Sequence, residues 1–173
     1  METRWYLALA AALAVSVPAA AQGGAPILGP YAARCAADTA PSILVTIVGL
    51  KIRTGNLRVR TFGGDPSTWF SKKTWLTRVE VPAPATGPIR VCMPVAGPGA
   101  YAIELRHDVN GNGETDRSDG GGASGDPKVT LLDFIFGRKP SPKQTAVQVG
   151  EGVTAISVTA MYLNGGALRP VAR

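Results

Sequence analysis

Residues 42–50 read Ser-Ile-Leu-Val-Thr-Ile-Val-Gly-Leu, directly after Pro41. The run is dense in β-branched side chains, shorter than an ordinary helix and punctuated by Pro41 and Gly49, so it predicts a strand buried on both faces. Working outward, Asn56 to Phe62 sets Leu57, Val59 and Thr61 against Arg58 and Arg60. That alternation places the arginines on the solvent face of an antiparallel strand. Thr77–Val81 and Ile89–Val95 alternate in the same way around the turn-forming stretch Pro82–Pro88. Gly97-Pro98-Gly99 then leads into a strand over Tyr101–His107, with Tyr101, Ile103, Leu105 and His107 on one face. Gln144–Val149 and Val153–Leu163, joined by Gly150-Glu151-Gly152, predict a closing hairpin. The chain has 21 glycines and 14 prolines in 173 residues, and nothing beyond residue 21 sustains a helical apolar period. The fold class is therefore all-β, a single antiparallel β-sandwich of roughly six to eight strands.

The ends read differently. Residues 1–21 hold Arg4, an apolar run from Trp5 to Val17, and Pro18-Ala19-Ala20-Ala21 before Gln22, the parts of a secretory signal cleaved after Ala21. A membrane anchor is the alternative, but a spanning helix needs about 20 apolar residues and this run is shorter. Cys35 lies too far downstream for a lipoprotein signal, so no stable membrane span or lipid anchor is expected after cleavage. Residues 22–41 read as an irregular lead-in, 42–163 as the sandwich domain and 164–173 as a tail. The expected location is outside the cytoplasm, periplasmic or secreted.

Cys35 and Cys92 are the chain's two cysteines. In an exported protein they predict a disulfide. Free thiols are the alternative reading, and metal ligation is poorer because there is one histidine and no C-x-x-C pair. Formal net charge is +6, and loss of the signal removes one acid and one base, Glu2 and Arg4, leaving the balance unchanged. Export argues against nucleic acid as a partner, and the basic residues are scattered without interleaved aromatics. Such a surface either is simply solvated or meets anionic envelope polymers.

The most chemically pointed stretch follows the Tyr101 strand: Asp108-Val-Asn-Gly-Asn-Gly-Glu-Thr-Asp-Arg-Ser-Asp119. Counted from Asp108, oxygen side chains fall at the first, third, fifth, ninth and twelfth positions (Asp108, Asn110, Asn112, Asp116, Asp119), glycine at the sixth, and Glu114 at the seventh, where the carbonyl is the ligand. This is the spacing of a calcium loop, which collects hard oxygen donors around Ca2+. Asp119 is shorter than the usual glutamate, and the flanks are a strand and Gly120-Gly121-Gly122 instead of helices, so this is not an EF-hand domain. The competing reading is a polar connection whose Asn-Gly pairs supply turns and whose side chains satisfy their own backbone. Magnesium and manganese favour similar ligands.

Two further groups invite functional readings. Trp69, Phe70 and Trp75 surround Lys72-Lys73 between Ser67 and Leu76, and either pack across the sandwich edge or form a stacking platform for a glycan or envelope polymer. His107, beside Asp108, suggests a hydrolase base, but no nucleophile motif accompanies it. A histidine hydrogen-bonded at a strand end is the plainer reading.

Several of these segments together resemble a known family. Val48-Gly49-Leu50, the Gly55-Asn-Leu-Arg-Val59 strand, Pro98-Gly-Ala-Tyr-Ala102 and His107-Asp-Val-Asn-Gly-Asn-Gly-Glu-Thr-Asp116 are similar, in that order, to the exported bacterial family known as domain of unknown function 2141. The resemblance runs from about Ser42 to Leu163. It implies a transthyretin-like or carboxypeptidase-regulatory-like β-sandwich and no established activity. Where such proteins carry a G-F-S-N-N-like stretch, this chain reads Asp126-Pro-Lys-Val-Thr-Leu-Leu-Asp-Phe-Ile-Phe136. The resulting expectation is a non-enzymatic binding or structural module with a calcium-type loop. Glycan or polymer binding through the aromatics and a hydrolase using His107 are the alternatives.

Overall fold

The predicted central strand, β2 (Ser42–Val48), is buried on both faces for two different reasons. Ile43, Val45 and Ile47 face the inter-sheet core, while Leu44 packs on the opposite side beside Cys35 and Cys92. The computed structural model describes residues 25–130, 132, 133 and 136–171. The expected signal segment lies outside them. In chain order the other strands are β1 (Ile27–Leu28), β3 (Asn56–Phe62), β4 (Thr77–Pro82), β5 (Ile89–Pro94), β6 (Gly99–Asp108), β7 (Gly120–Ala123), β8 (Val147–Val149), β9 (Val153–Thr159), β10 (Met161–Asn164) and β11 (Ala167–Pro170). Two short helices, α1 (Ala32–Ala37) and α2 (Pro142–Thr145), and a 3-10 turn at Pro66–Thr68 complete the elements among the described residues.

Two sheets face each other. One has the order β1-β5-β2-β9; the other runs β11-β10-β7-β6-β3-β4, with β8 pairing the start of β6. The inner face of the larger sheet supplies Leu57, Val59, Val79, Ile103 and Leu105 to the same core as the β2 side chains. Burial of that apolar surface, at about 25 cal/mol per Å2, is what drives the two layers together. The six-to-eight estimate captured the six strands of six or more residues; the five others are two to four residues long.

Four local expectations change. The lead-in is not irregular throughout: β1 pairs in parallel with β5, and α1 carries Cys35 to Cys92, where the disulfide forms with Cα atoms 5.8 Å apart. The closing hairpin does not form, because Gly150-Glu151-Gly152 carries the chain from one sheet to the other. β8 pairs with β6 and β9 pairs in parallel with β2. The single strand expected over Val153–Leu163 breaks at fully buried Ala160, where the chain crosses back between the sheets. Finally, part of the tail is strand: Gly165 and Gly166, with φ of 59° and 80°, make a two-residue turn that pairs β11 with β10, the geometry that glycine in both central positions favours.

Candidate functional site

Alternation along β6 divides its last residues between two faces. His107 points into the core with Tyr101, Ile103 and Leu105, while Glu104, Arg106 and Asp108 stand on the outer face of the larger sheet, opposite Arg60, Arg58 and Asn56 of β3. The acidic loop leaves from Asp108 and returns through Asp119 into β7.

The loop has an inner and an outer half. In the inner half, Asp108 and Asp119 are both buried. Asp108 accepts the backbone N–H groups of Gly111 at 2.9 Å and Gly113 at 2.8 Å. Asp119 accepts the N–H of Val109 at 3.1 Å, which closes the loop's neck. The centre belongs to Arg106. Its guanidinium donates to the Gly113 carbonyl at 3.0 Å, to the Glu114 carbonyl, and to Asp119 Oδ2 at 3.1 Å, with Asp108 Oδ2 3.9 Å away. The carbonyl of Glu114, assigned to a cation by the spacing, thus receives a tethered positive charge. Sequence reading had counted Arg106 only among scattered bases. Its phase on β6, shared with Asp108, was the signal that it faces the loop.

The outer half is exposed. The amides of Asn110 and Asn112 converge on Asp116 Oδ2, at 2.8 and 3.4 Å. Each asparagine Oδ1 accepts the N–H two residues on, from Asn112 at 3.2 Å and from Glu114 at 2.8 Å, the Asx-turn pattern. Asp116 also accepts the Ser118 hydroxyl and N–H, and these bonds hold its carboxyl below the ordinary aspartate value. The six predicted ligands therefore separate into Asp108 and Asp119 with the Glu114 carbonyl around Arg106, and Asn110, Asn112 and Asp116 at the mouth. Among the described residues no group of three or more His, Cys, Asp or Glu side chains is gathered as a metal site.

His107 is fully buried and engaged at both ring nitrogens. Nε2 lies 2.8 Å from the Thr54 carbonyl, which can only accept, so Nε2 carries the proton. Nδ1 lies 2.5 Å from the Tyr162 hydroxyl, which accepts the Lys51 N–H at 3.2 Å and donates to the ring. Burial raises the Tyr162 pKa and keeps that hydroxyl protonated. The Tyr162 ring lies over β7, where a Cβ on Gly120 would come within 2.5 Å of it. Gly120 is thus a packing requirement: a larger residue there would push the aromatic off the strand.

The aromatic segment also divides. Phe62, the outward residue at the end of β3, needs an apolar cover, and Trp69 provides it together with Ala102. Trp69 is 2% exposed, so its ring offers no stacking face, in contrast to the platform reading. The fold-over starts at Asp65, whose carboxylate accepts the Ser67 N–H at 2.9 Å. Phe70 is half-buried against Phe62, with ring centroids 5.1 Å apart. Trp75 remains 39% exposed.

No curated protein and no solved structure matches the chain. The model of a family described as "Uncharacterized protein conserved in bacteria (DUF2141)" matches residues 45–157, more than half of the chain and everything from the middle of β2 to the middle of β9. With the H-D-x-N-G-N-G element lying inside that match, the chain belongs to the DUF2141 family.

Proposed function

We propose that the chain is an exported, non-enzymatic β-sandwich of binding or structural kind, whose Asp108–Asp119 loop takes up a hard divalent cation, calcium first, at its mouth. What supports this reading is that Asn110, Asn112 and Asp116, the third, fifth and ninth positions of the calcium spacing, are gathered at one exposed mouth, where turning the two amides would replace the N–H groups now on Asp116 with oxygens. Asp108, Asp119 and Arg106 hold the curve of the loop from beneath and leave the mouth to solvent. With a single carboxylate there, affinity belongs to the weak extracellular class, about 10⁻⁴–10⁻³ M.

Export is supported by the signal-like residues 1–21 and by the disulfide, which suits an oxidising compartment. No helix of the described residues is long and apolar enough to cross a membrane. The non-enzymatic part rests on His107: buried and bonded at both nitrogens, it serves to join the Thr54 turn, β6 and β10. The test is thermal unfolding of the mature, oxidised protein in chelator and then in millimolar calcium. A rise in midpoint with calcium, absent in Asp116→Ala, is the expected result by linkage. Identical midpoints with and without calcium would leave the loop as a cap held by Arg106 and by the Asp108 and Asp119 bonds to its backbone.

A further inference from the structure

The outer face of the larger sheet carries four guanidiniums on three adjacent strands: Arg78 on β4, Arg58 and Arg60 on β3, and Arg106 on β6. Three have carboxylate partners. Arg60 forks onto Glu104 with contacts of 2.9 and 2.6 Å. Arg78 reaches Glu80 at 2.5 Å, and Arg106 reaches Asp119 at 3.1 Å. Arg58 has none. Glu80, directly opposite it in register, is turned to Arg78, and the cross-strand neighbour on the other side is Arg106. Among the described residues the Arg58 side chain makes no hydrogen bond, and its Nε is buried without a partner. Desolvation and the nearby Arg60 and Arg106 charges lower its pKa.

A part-buried guanidinium among like charges raises the energy of the fold unless an anion completes it. Sequence alternation alone would allow a simple solvated arginine at this position. The missing partner is visible only in three dimensions.

We propose that Arg58 is an oxyanion-binding site on the outer face of the larger sheet, taking the two-oxygen edge of a carboxylate or phosphate group. The planar guanidinium fork matches both groups, and the carboxylates of this face, Glu80, Glu104, Asp108 and Asp119, are engaged elsewhere and leave Arg58 to an added anion. This site is separate from the calcium reading, since it uses β3 and neither the loop mouth nor a metal.

The experiment is a titration of the folded, oxidised protein with sodium phosphate and, separately, sodium acetate, at ionic strength held constant with chloride. The arginine Nε–Hε signals are followed by NMR and the thermal midpoint by calorimetry. A saturable shift of the Arg58 signal is expected with at least one anion, with a midpoint rise of about 4 °C at ten times the dissociation constant. Both effects should vanish in Arg58→Met and persist in Arg78→Met. Response to acetate alone assigns a carboxylate ligand, and response to phosphate alone assigns a phosphoryl one. No saturable response to either anion, or a response that survives in Arg58→Met, overturns the proposal. Arg58→Met should also unfold at or above the wild-type midpoint without anion, because it removes an unpaired charge. A lower midpoint would assign Arg58 a purely structural role and overturn the site.

Discussion

Two covers lie on the outer face of the larger sheet, and they are built from opposite chemistry. At one end the Gly63–Leu76 segment lays Trp69 over Phe62 and Ala102. At the other, the Asp108–Asp119 loop wraps the guanidinium of Arg106 in carbonyls and a carboxylate. Ala102 and Arg106 stand on the same face of the same strand, four residues apart. Each cover is matched to what lies beneath it: an outward aromatic recruits an aromatic, and an outward cation recruits oxygens. Both segments stood out in the sequence as functional candidates, and both are partly committed to closing their own sheet.

The largest effect should come from breaking the apolar cover. Trp69→Ala removes a buried indole and should cost about 4 kcal/mol in urea unfolding. A cost below about 1 kcal/mol would mean that the segment does not cover Phe62 in solution. Breaking the polar cover comes next. Arg106→Met leaves Asp108 and Asp119 buried without their cation and should cost about 3 kcal/mol. In that variant calcium should raise the midpoint more than in the wild type, because the inner carboxylates are released to a metal. A variant as stable as the wild type and indifferent to calcium would show that the guanidinium does not organise the loop.

The smallest effect sharpens the comparison through pH. Asp65, which starts the apolar cover, and Asp116, at the mouth of the polar one, are both held below the ordinary aspartate pKa, first by a serine hydroxyl, Ser67 and Ser118 respectively. A depressed folded value means that each adds stability above the unfolded pKa of about 3.9, and that this is lost as pH falls through the folded value. Ser67→Ala and Ser118→Ala should therefore each lower stability slightly near neutrality and converge on the wild type at low pH, which flattens the acid limb of a stability–pH curve. An acid limb unaltered in both variants would remove the two capping bonds from the account.

Local alternation was the most legible level. β3 runs over the predicted Asn56–Phe62 because each outward arginine is followed by an inward apolar or β-branched residue. The buried face of β6 held for the same reason. Cysteine pairing was legible from number and expected compartment. What alternation could not convey is which strand pairs with which. Val153–Thr159 reads like one arm of a hairpin, yet its partner β2 is set by the inter-sheet core and not by the neighbouring turn. The break at Ala160 was hidden because a small apolar residue fits either a strand interior or a crossing between layers. At the site, the side chains of the loop bond their own backbone, as the polar-connection reading allowed, with Asp108 accepting the Gly111 and Gly113 N–H groups. The spacing did not reveal that a donor from outside the loop, Arg106, fills its centre.

The parallel pairing of β2 with β9 has a consequence for how the chain folds. Ser42 lies beside Val153 and Val48 beside Thr159, so the most apolar strand of the protein finds its second neighbour only after nearly all of the chain has been made. Non-local pairings of this kind slow folding. Until β9 arrives, Ser-Ile-Leu-Val-Thr-Ile-Val presents an open edge with no charge and no proline inside it, the composition of an aggregation-prone segment. A strand buried on both faces of the finished sandwich is thus open to misassembly beforehand.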